Sequence, residues 1–438
     1  MSSGALSRRL VMWTVFVVFC TLGMVYTELP WTKIPVVGTV TYFEVLLLMA
    51  GSLGALPLLR YAGVAERSGT RTMCRILIAY LAFELLAVIP VAVWLGTAKM
   101  TVILSELAVR FAWFLFPVVL AIGADEKSRG VAGTIVAIAA ACLAVWGVYS
   151  AATGGGGYYL ESGDLRYRVL YGGALVLFAW PFVLALSRDI SRRSTIPLLA
   201  ISLVGLVLTN MRSGYIAFAV AGFACLVMSQ QVRRVVPWIV PAALIAVVVG
   251  LLWGQQASEA LGYTISHLLD FSSGNGADRV ARNALAWDFF ARYPFNDWVW
   301  SWRYYLVYVH DTYGPHNFLL NVAVTEGIAG LTFYGSMLTV ALHSAWKWGK
   351  RDAVARALAG YLLFYLIFAL GNATWYVPVD IALFIAATAG LMARIDQLRA
   401  IEASGDPANE DEPDVRLPRG RDDRALRSNA ASKGSGAL

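Results

Sequence analysis

Apolar residues fill most of this chain in long, nearly uncharged stretches that are separated by short polar segments. About a dozen of these stretches approach the roughly 20 residues that a helix needs to cross the hydrocarbon core of a bilayer. The pattern predicts an all-α polytopic membrane protein with about 12 transmembrane helices. The predicted spans are residues 10–26, 35–59, 76–98, 102–122, 131–152, 170–187, 196–211, 213–229, 235–254, 316–345, 357–373 and 377–393.

The amino-acid composition supports this class and marks where it ends. Of the 438 residues, 58% are hydrophobic and only 14% are charged, and no soluble domain of this length buries so much apolar surface. No small-residue cleavage site follows the first apolar stretch, so we interpret it as a retained span. Beyond Ala400 the sequence becomes rich in Gly, Pro, Ser and charged residues. We therefore predict a membrane domain over residues 1–400 and a disordered tail over residues 401–438.

Basic residues between the predicted spans orient the chain in the membrane. Those that fall on one side are Arg8, Arg9, Arg60, Arg67, Arg71, Arg75, Lys127, Arg129, Arg188, Arg192, Arg193, Arg233, Arg234, Lys347, Lys350, Arg351 and Arg356. We assign this side, both termini and the tail to the cytoplasm. The opposite loops are short except for residues 255–315, the predicted large periplasmic loop. The net charge of +7 thus reflects topology, and no basic patch with interleaved aromatic residues predicts a nucleic-acid partner.

Several arginines lie on the outer face, where the topology disfavours them. Those of the large loop are Arg279, Arg282, Arg292 and Arg303. Arg212 lies where the seventh span ends and the eighth begins, and Arg166 and Arg168 precede the sixth span. The planar guanidinium group suits phosphate oxygens, so a convergent set predicts a diphosphate site. Surface salt bridges are the alternative, since the carboxylates in the same loop are those of Asp270, Asp278, Asp288 and Asp297.

The segment from Gly314 to Leu331 places polar groups at the mouth and in the interior of the tenth span. His316 can accept a proton near neutral pH without a large pKa shift. His316 and Asn317 are compatible either with catalysis or with an interfacial histidine and a helix N-cap. Glu326 lies ten residues after His316, about 15 Å along the helix. It is therefore too deep to contact an atom that His316 contacts. We therefore assign Glu326 to packing or to a polar contact within the bundle.

This segment resembles the C-terminal signature of the bacterial O-antigen ligases and the related polysaccharide polymerases. His316 and Asn317, followed after nine residues by Gly327 and after two more by Gly330, match the H-N-x9-G-x-x-G pattern of that family. Glu326 stands in its usual place directly before the first glycine. The pattern is fairly specific when a long loop precedes it, as it does here.

Two arginine positions extend the resemblance. Arg279 lies fifteen residues before Pro294, as in the R…P run of the family's large periplasmic loop. Arg212 matches the family's S-R-G-like turn between spans, although Met211 replaces the usual serine. A second departure is Asn283, where a tryptophan is common. The resemblance covers the layout of spans and residues 200–335, whereas the first half of the chain matches only in hydropathy.

The resemblance implies a GT-C-like glycosyltransferase in the bacterial inner membrane, surrounded by membrane lipids, with its active site facing the periplasm. It implies an undecaprenyl-diphosphate-linked glycan as donor and a lipid A–core or glycan acceptor. Arginines can stabilise the leaving diphosphate without a metal, and no Asp-x-Asp motif stands at the outer face, so we expect no cofactor and no metal. Arg168 joins the expected site because the topology disfavours an arginine on the outer face. The expected site residues are His316 as the general base, Arg212, Arg279 and Arg168 as diphosphate ligands, and Asn317 and Glu326 in supporting roles. Acidic residues that remain alternatives for the base are Glu28, Glu161, Asp164 and Asp311.

Three functions remain open at this stage. A ligase moves a finished glycan onto lipid A–core, and a polymerase moves a growing chain onto another lipid-linked repeat. The motif does not separate the two, because they share the donor chemistry, and we favour the ligase because one dominant outer loop carries the motif residues. A transporter for a lipid-linked anion also places arginines in a membrane cavity. It needs no histidine at the mouth of a span, and the paired halves typical of transporters are not evident in the sequence.

Overall fold

The computed structural model of the chain describes residues 35–37, 40–41, 69–95, 126–153, 157–161, 164–170, 172–187, 194–232, 275–295, 315, 317–371 and 378–404. The spans predicted over residues 10–26, 102–122 and 235–254 lie outside these residues. The chain divides into two compact units, residues 1–398 and residues 399–438. In the second unit, the described residues 399–404 are helical.

The described residues form mainly α-helices, as the apolar pattern predicts. The helices are α1 (Gly69–Leu95), α2 (Glu126–Ala152), α3 (Leu175–Ser187), α4 (Thr195–Thr209), α5 (Arg212–Ser229), α6 (Asn275–Arg292), α7 (Phe318–Trp348), α8 (Ala353–Leu370) and α9 (Pro378–Ser404). The strands are β1 (Pro35–Val37), β2 (Val40–Thr41), β3 (Gly157–Glu161) and β4 (Asp164–Arg168). Strand β1 pairs with β2 and β3 pairs with β4, each pair antiparallel.

The structure corrects two sequence-based boundaries and adds one helix. The span predicted over residues 35–59 is wrong at its beginning, where β1 and β2 pair as a hairpin. The tail predicted over residues 401–438 begins too early, because α9 continues to Ser404 and ends only before Gly405, a residue that favours helix termination. The large loop predicted over residues 255–315 contains a helix, α6.

Within the described part of the chain, four helical segments are long and apolar enough to cross a membrane. They are Gly133–Ala152, Arg212–Ser229, Glu326–Trp348 and Ala353–Leu370. Two shorter apolar helices are Gly172–Ser187 and Thr195–Thr209, the first of which includes a turn of 3-10 helix before α3. The length and apolar composition of these helices confirm a helical, membrane-embedded protein. The total of about 12 spans stays a prediction.

Helices α8 and α3 make most of the helix–helix contacts among the described residues. Helix α8 packs against α3, α5 and α7, and α3 in turn contacts α2, α4 and α5. The backbones of α8 and α5 approach closely at Gly360, since a Cβ atom there would lie 2.3 Å from the sulfur of Cys225. Small residues permit such close approach in membranes, where packing rather than the exclusion of water holds helices together. This packing fixes the ends of α5 and α8 relative to each other.

A buried polar cluster ties together helix ends at the side assigned to the cytoplasm. Asp352 caps α8 by accepting from the amide of Ala355 at 2.7 Å, and Oδ2 of Asp352 lies 2.8 Å from Nη2 of Arg394 on α9. Arg356 donates to the carbonyls of Gly349 and Ser187, each at 2.7 Å. Arg356 therefore satisfies carbonyls at the C-terminal ends of α7 and α3, groups that their own helices leave unpaired.

A second polar contact fixes the beginning of α1. The carboxylate of Asp396 on α9 accepts from the amides of Gly69 at 3.0 Å and Thr70 at 2.8 Å. A carboxylate in this position satisfies the first amides of a helix and favours its N-terminal dipole. This cap comes from a residue more than 300 positions away, so the local sequence pattern does not reveal it. The sequence-based prediction therefore begins the span only at residue 76.

Candidate active site at the ends of α4, α6 and α8

The turn between α4 and α5 presents Arg212. Helix α4 ends at Asn210, which adopts left-handed backbone angles, φ 43° and ψ 54°. Met211 is extended, and Arg212 is the first residue of α5. The turn therefore sets the half-buried Arg212 side chain at the N-terminal end of a helix, where the helix dipole adds to its positive charge. Both features favour an anion at this position.

The hairpin of β3 and β4 is attached to the same turn. The amides of Val169 and Leu170 donate to the carbonyl of Leu208, in the last turn of α4, at 3.0 and 3.2 Å. Arg168 is the last residue of β4 and directly precedes these two amides. Its backbone therefore lies beside the end of α4 that leads into Arg212, while its side chain lies outside the described part of the structure.

Arg279 reaches the beginning of α5 from α6. Nη1 of Arg279 donates to the carbonyl of Gly371, the C-cap of α8, at 3.1 Å. Gly371 also packs on Ser213, since a Cβ atom at Gly371 would lie 2.9 Å from Cβ of Ser213. Arg279 and the residue after Arg212 thus contact the same glycine. The structure brings Arg279 and the turn that carries Arg212 to the same glycine, although 67 positions (279 − 212) separate the two arginines in the sequence.

One face of α6 holds it against α7. Ala286 and Phe289 of α6 form a fully buried cluster with Val324 of α7, and Leu320 packs against it. This contact places the helix that carries Arg279 alongside the first turns of α7. The N-terminal end of α7, which follows His316 in the sequence, is therefore joined through α6 to the helix that carries Arg279.

Asn317 begins α7 as its N-cap. The Asn317 side chain accepts from the amide of Leu320 at 3.1 Å. Phe318 is buried, with its ring centroid 5.2 Å from that of Tyr334 and 6.1 Å from that of Tyr365. His316 lies outside the described residues, but Pro315 before it is buried and Asn317 after it is fixed by the cap. The capping function considered for Asn317 from the sequence is observed, and the role of His316 stays a prediction.

Glu326 is buried within the helix bundle. Its side chain is fully buried, and the hydroxyl of Tyr80 on α1 donates to its Oε2. The next residue, Gly327, interrupts α7 with backbone angles of φ 60° and ψ −152°. Glu326 thus makes a polar contact within the bundle.

Two residues that the sequence did not single out as ligands lie one turn from the arginines. Asn283 follows Arg279 by four positions on α6, and Tyr215 follows Arg212 by three on α5. Among the described residues, neither Oδ1 of Asn283 nor the hydroxyl of Tyr215 has a hydrogen-bond partner, and both atoms are buried. Buried polar atoms normally have partners, so each is a candidate to contact a bound molecule. The only sequence signal was their spacing from an arginine.

The acidic alternatives for the base lie at the far end of the hairpin. Glu161 and Asp164 are paired at its turn, four residues along β4 from Arg168. At about 3.3 Å per residue this is about 13 Å from the strand end that meets α4. Glu28 and Asp311 lie outside the described residues. Over the described ranges, no group of three or more His, Cys, Asp and Glu residues has a metal-binding arrangement.

Comparison with known proteins identifies the region that contains this site. The family model described as O-antigen ligase matches residues 197–335. The chain matches no curated protein. The matched region includes Arg212, Arg279 and the H-N-x9-G-x-x-G pattern of residues 316–330, the histidine motif. It includes neither Arg168 nor Gly371. Residues 197–335 therefore confirm the resemblance of this chain to the O-antigen ligase family.

Proposed function

We propose that this chain is a membrane glycosyltransferase that moves a glycan from undecaprenyl diphosphate to an acceptor hydroxyl. The observation that carries the proposal is the convergence of Arg279 and the Arg212 turn on Gly371. Arg279, Arg212 and the N-terminal end of α5 together offer the positive charge that a diphosphate leaving group requires. The family match over the same residues supports this assignment.

The transfer has a simple electronic balance. The acceptor hydroxyl oxygen bonds to the anomeric carbon of the donor sugar, and the bond from that carbon to the diphosphate oxygen breaks. The electron pair of the broken bond passes to the leaving diphosphate, where Arg212 and Arg279 stabilise the negative charge. The hydroxyl proton passes to the His316 imidazole, which later releases it to water. The proposal includes no metal, because the arginines supply the positive charge.

Arg168, Asn283 and Tyr215 complete the proposed donor site. The β4 end brings the backbone of Arg168 to the α4–α5 turn. Asn283 and Tyr215 offer uncharged groups one turn from Arg279 and Arg212, the two arginines that we call the clamp. These groups are suited to sugar hydroxyls or to a phosphate oxygen. The acidic tip of the hairpin lies about 13 Å away along β4, which favours His316 over Glu161 or Asp164 as the base.

We assign the site to the periplasmic face of the bacterial inner membrane. The helix ends joined by Asp352, Arg356 and Asp396 all belong to the predicted cytoplasmic side. The ends that meet at Gly371 all belong to the predicted outer side. Two separate groups of helix ends are expected of a bundle that crosses a membrane repeatedly.

The topology is tested by labelling single cysteines at Ser273 and Ser428 in a background without the native cysteines. A membrane-impermeant maleimide applied to intact spheroplasts should label position 273 and leave position 428 unlabelled until the membrane is opened. Labelling of position 273 only after opening would refute the periplasmic site.

Replacement of the arginines tests the clamp. Arg279→Lys and Arg212→Lys keep a charge but lose the planar fork, and a charge-assisted hydrogen bond is worth about 1.5–3 kcal/mol. We expect transfer in lipid nanodiscs to fall about 10- to 100-fold, since about 1.4 kcal/mol corresponds to tenfold. Arg292→Lys is the matched control, because Arg292 is on the same helix but exposed and paired with Asp288 at 2.9 Å. Unchanged transfer by the first two variants would refute the clamp.

Replacement of the histidine tests the base. Loss of a positioned base typically lowers a rate by a factor of about 10² to 10⁴. We expect His316→Ala to lose transfer by such a factor while it still binds undecaprenyl diphosphate with unchanged affinity. Near-normal transfer would make His316 a structural residue.

The acceptor distinguishes the ligase from the polymerase. We favour the ligase, which attaches the glycan to lipid A–core, with the polymerase as the alternative. A deletion strain is expected to produce lipid A–core without attached glycan. Single repeats attached to lipid A–core in that strain would instead identify a polymerase.

A further inference from the structure

The break in α7 at Gly327 frees a backbone donor from the hydrogen-bond pattern of the helix. In a continuous helix the amide of Ile328 would donate to the carbonyl of Val324, four residues earlier. At Gly327 the backbone angles are φ 60° and ψ −152°, a region that is essentially restricted to glycine. The Ile328 amide instead donates to the carbonyl of Pro294 at 2.8 Å.

This hydrogen bond joins α7 to the C-terminal end of α6. Pro294 follows directly on the last turn of α6, in which the amide of Tyr293 donates to the carbonyl of Phe289 at 3.0 Å. Phe289 itself is buried against Val324 of α7. Helix α6 is therefore held to α7 at two levels, by a side-chain cluster and by a backbone hydrogen bond that only the break makes possible.

Tyr80 of α1 holds both sides of the break. Its hydroxyl donates to Glu326, the residue directly before Gly327. Its ring stacks on Phe333, beyond the break, with centroids 4.0 Å apart and planes inclined by 13°. One side chain from a neighbouring helix thus bridges the two segments of α7 and fixes the angle between them.

The position of α6 matters because its other end carries Arg279. Arg279 lies fifteen residues before Pro294, about 22 Å along a helix. A tilt of roughly 10° about the Pro294 contact would move Arg279 by about 4 Å. Misplacement of a substrate-binding group by about 1 Å can cost a factor of about 100 in rate.

We propose that the break at Gly327, held by Tyr80 and bonded to Pro294, is a positioning device that keeps Arg279 in the donor site. Gly327, Tyr80 and Pro294 are positioning residues and touch no reacting atom. The consequence for catalysis rests on the proposed function, whereas the consequence for the position of α6 does not.

The test compares Gly327→Ala with Gly335→Ala on the same helix. An alanine at residue 327 cannot readily adopt the observed backbone angles, while a Cβ atom at Gly335 would have nothing within 4 Å. Spin labels on cysteines at Ala284 of α6 and Thr339 of α7, both exposed, report the distance between the two helices. The four native cysteines are replaced by alanine in every sample.

We expect Gly327→Ala to broaden or shift the distance between the labels and to weaken undecaprenyl diphosphate binding at least tenfold. Gly335→Ala should leave both unchanged. Tyr80→Phe is measured beside them, because it keeps the ring stack and removes only the hydroxyl, so that it is less disruptive to the fold. It should broaden the distance distribution and lower transfer in the same direction.

An unchanged distance in a folded Gly327→Ala, or in Tyr80→Phe if Gly327→Ala does not fold, would overturn the proposal. A changed distance with unaltered transfer and donor affinity would overturn the link to Arg279. Absence of transfer by the unmodified protein would refute the proposed function, while the distance measurements would still decide the position of α6.

Discussion

Gly330, the second glycine of the histidine motif, is expected to tolerate no side chain. A Cβ atom there would lie 2.5 Å from Cβ and 2.6 Å from Oε2 of Glu326, and 2.9 Å from Cγ1 of Val322. The first of these atoms is attached directly to the backbone and cannot rotate away. Gly330→Ala must therefore displace Glu326, whose carboxylate accepts from the Tyr80 hydroxyl.

The expected cost follows from three terms. Overpacking in a well-packed interior costs about 1–3 kcal/mol. Loss of the buried hydrogen bond between Tyr80 and Glu326 adds about 1–3 kcal/mol. The greater helix propensity of alanine returns about 1 kcal/mol. We expect Gly330→Ala to lower the free energy of unfolding by about 1–5 kcal/mol, whereas Gly335→Ala, with open space around it, should raise it by about 0.5–1 kcal/mol.

The free energy of unfolding is measured by titration with SDS in a mild detergent, followed by tryptophan fluorescence. Gly335→Ala is the matched control, because the same substitution is made on the same helix. The effects of Gly330→Ala and Tyr80→Phe should also be coupled. In a Tyr80→Phe background the hydrogen bond is already lost, so Gly330→Ala should cost about 1–3 kcal/mol less than in the unmodified protein. Equal stability of the two alanine variants, or strict additivity with Tyr80→Phe, would refute the contact geometry on which the prediction rests.

Three further predictions concern contacts outside the motif. Asp352→Ala leaves Arg394 buried without its ion pair and should lower the free energy of unfolding by about 3–5 kcal/mol. Asp288→Ala breaks an exposed ion pair and should lower it by less than about 1 kcal/mol. Both are measured by SDS titration, and equal costs would contradict the role of burial. Asp396→Ala should speed hydrogen exchange at the first amides of α1, measured by mass spectrometry, with no change in α8 as the control. Gly371→Ala should push against the start of α5 and weaken undecaprenyl diphosphate binding, measured by calorimetry, and unaltered affinity would separate this glycine from the donor site.

The sequence alone determined the class of the protein and much of its helical layout. Long apolar stretches favour helices, because an unpaired backbone in lipid costs several kcal/mol per group. The spans predicted over residues 196–211 and 213–229 match α4 and α5 within a few residues. The family motif was also visible directly, since the spacing from His316 to Gly330 is a property of the sequence. The family match over residues 197–335 confirms that part.

Helix ends were less predictable where a distant residue decides them. α1 begins at Gly69 because a carboxylate of α9 caps it, and no pattern within residues 69–76 shows this. The hairpin of β1 and β2 lies within a stretch apolar enough to be predicted as a span. In both cases the local sequence is compatible with more than one structure. A contact from a distant helix decides where α1 begins, whereas residues 35–41 pair with each other as two short strands.

The site shows the same division. The sequence pointed to Arg212 and Arg279 separately, through topology and resemblance, but it contains no signal that both converge on Gly371. It marked Gly327 as a motif residue without revealing that its backbone angles release the Ile328 amide to Pro294. Residue types and their spacing along a helix are local properties. The meeting of α5, α6 and α8 is decided only by tertiary packing, because it depends on the close approach of whole helices that no local pattern encodes.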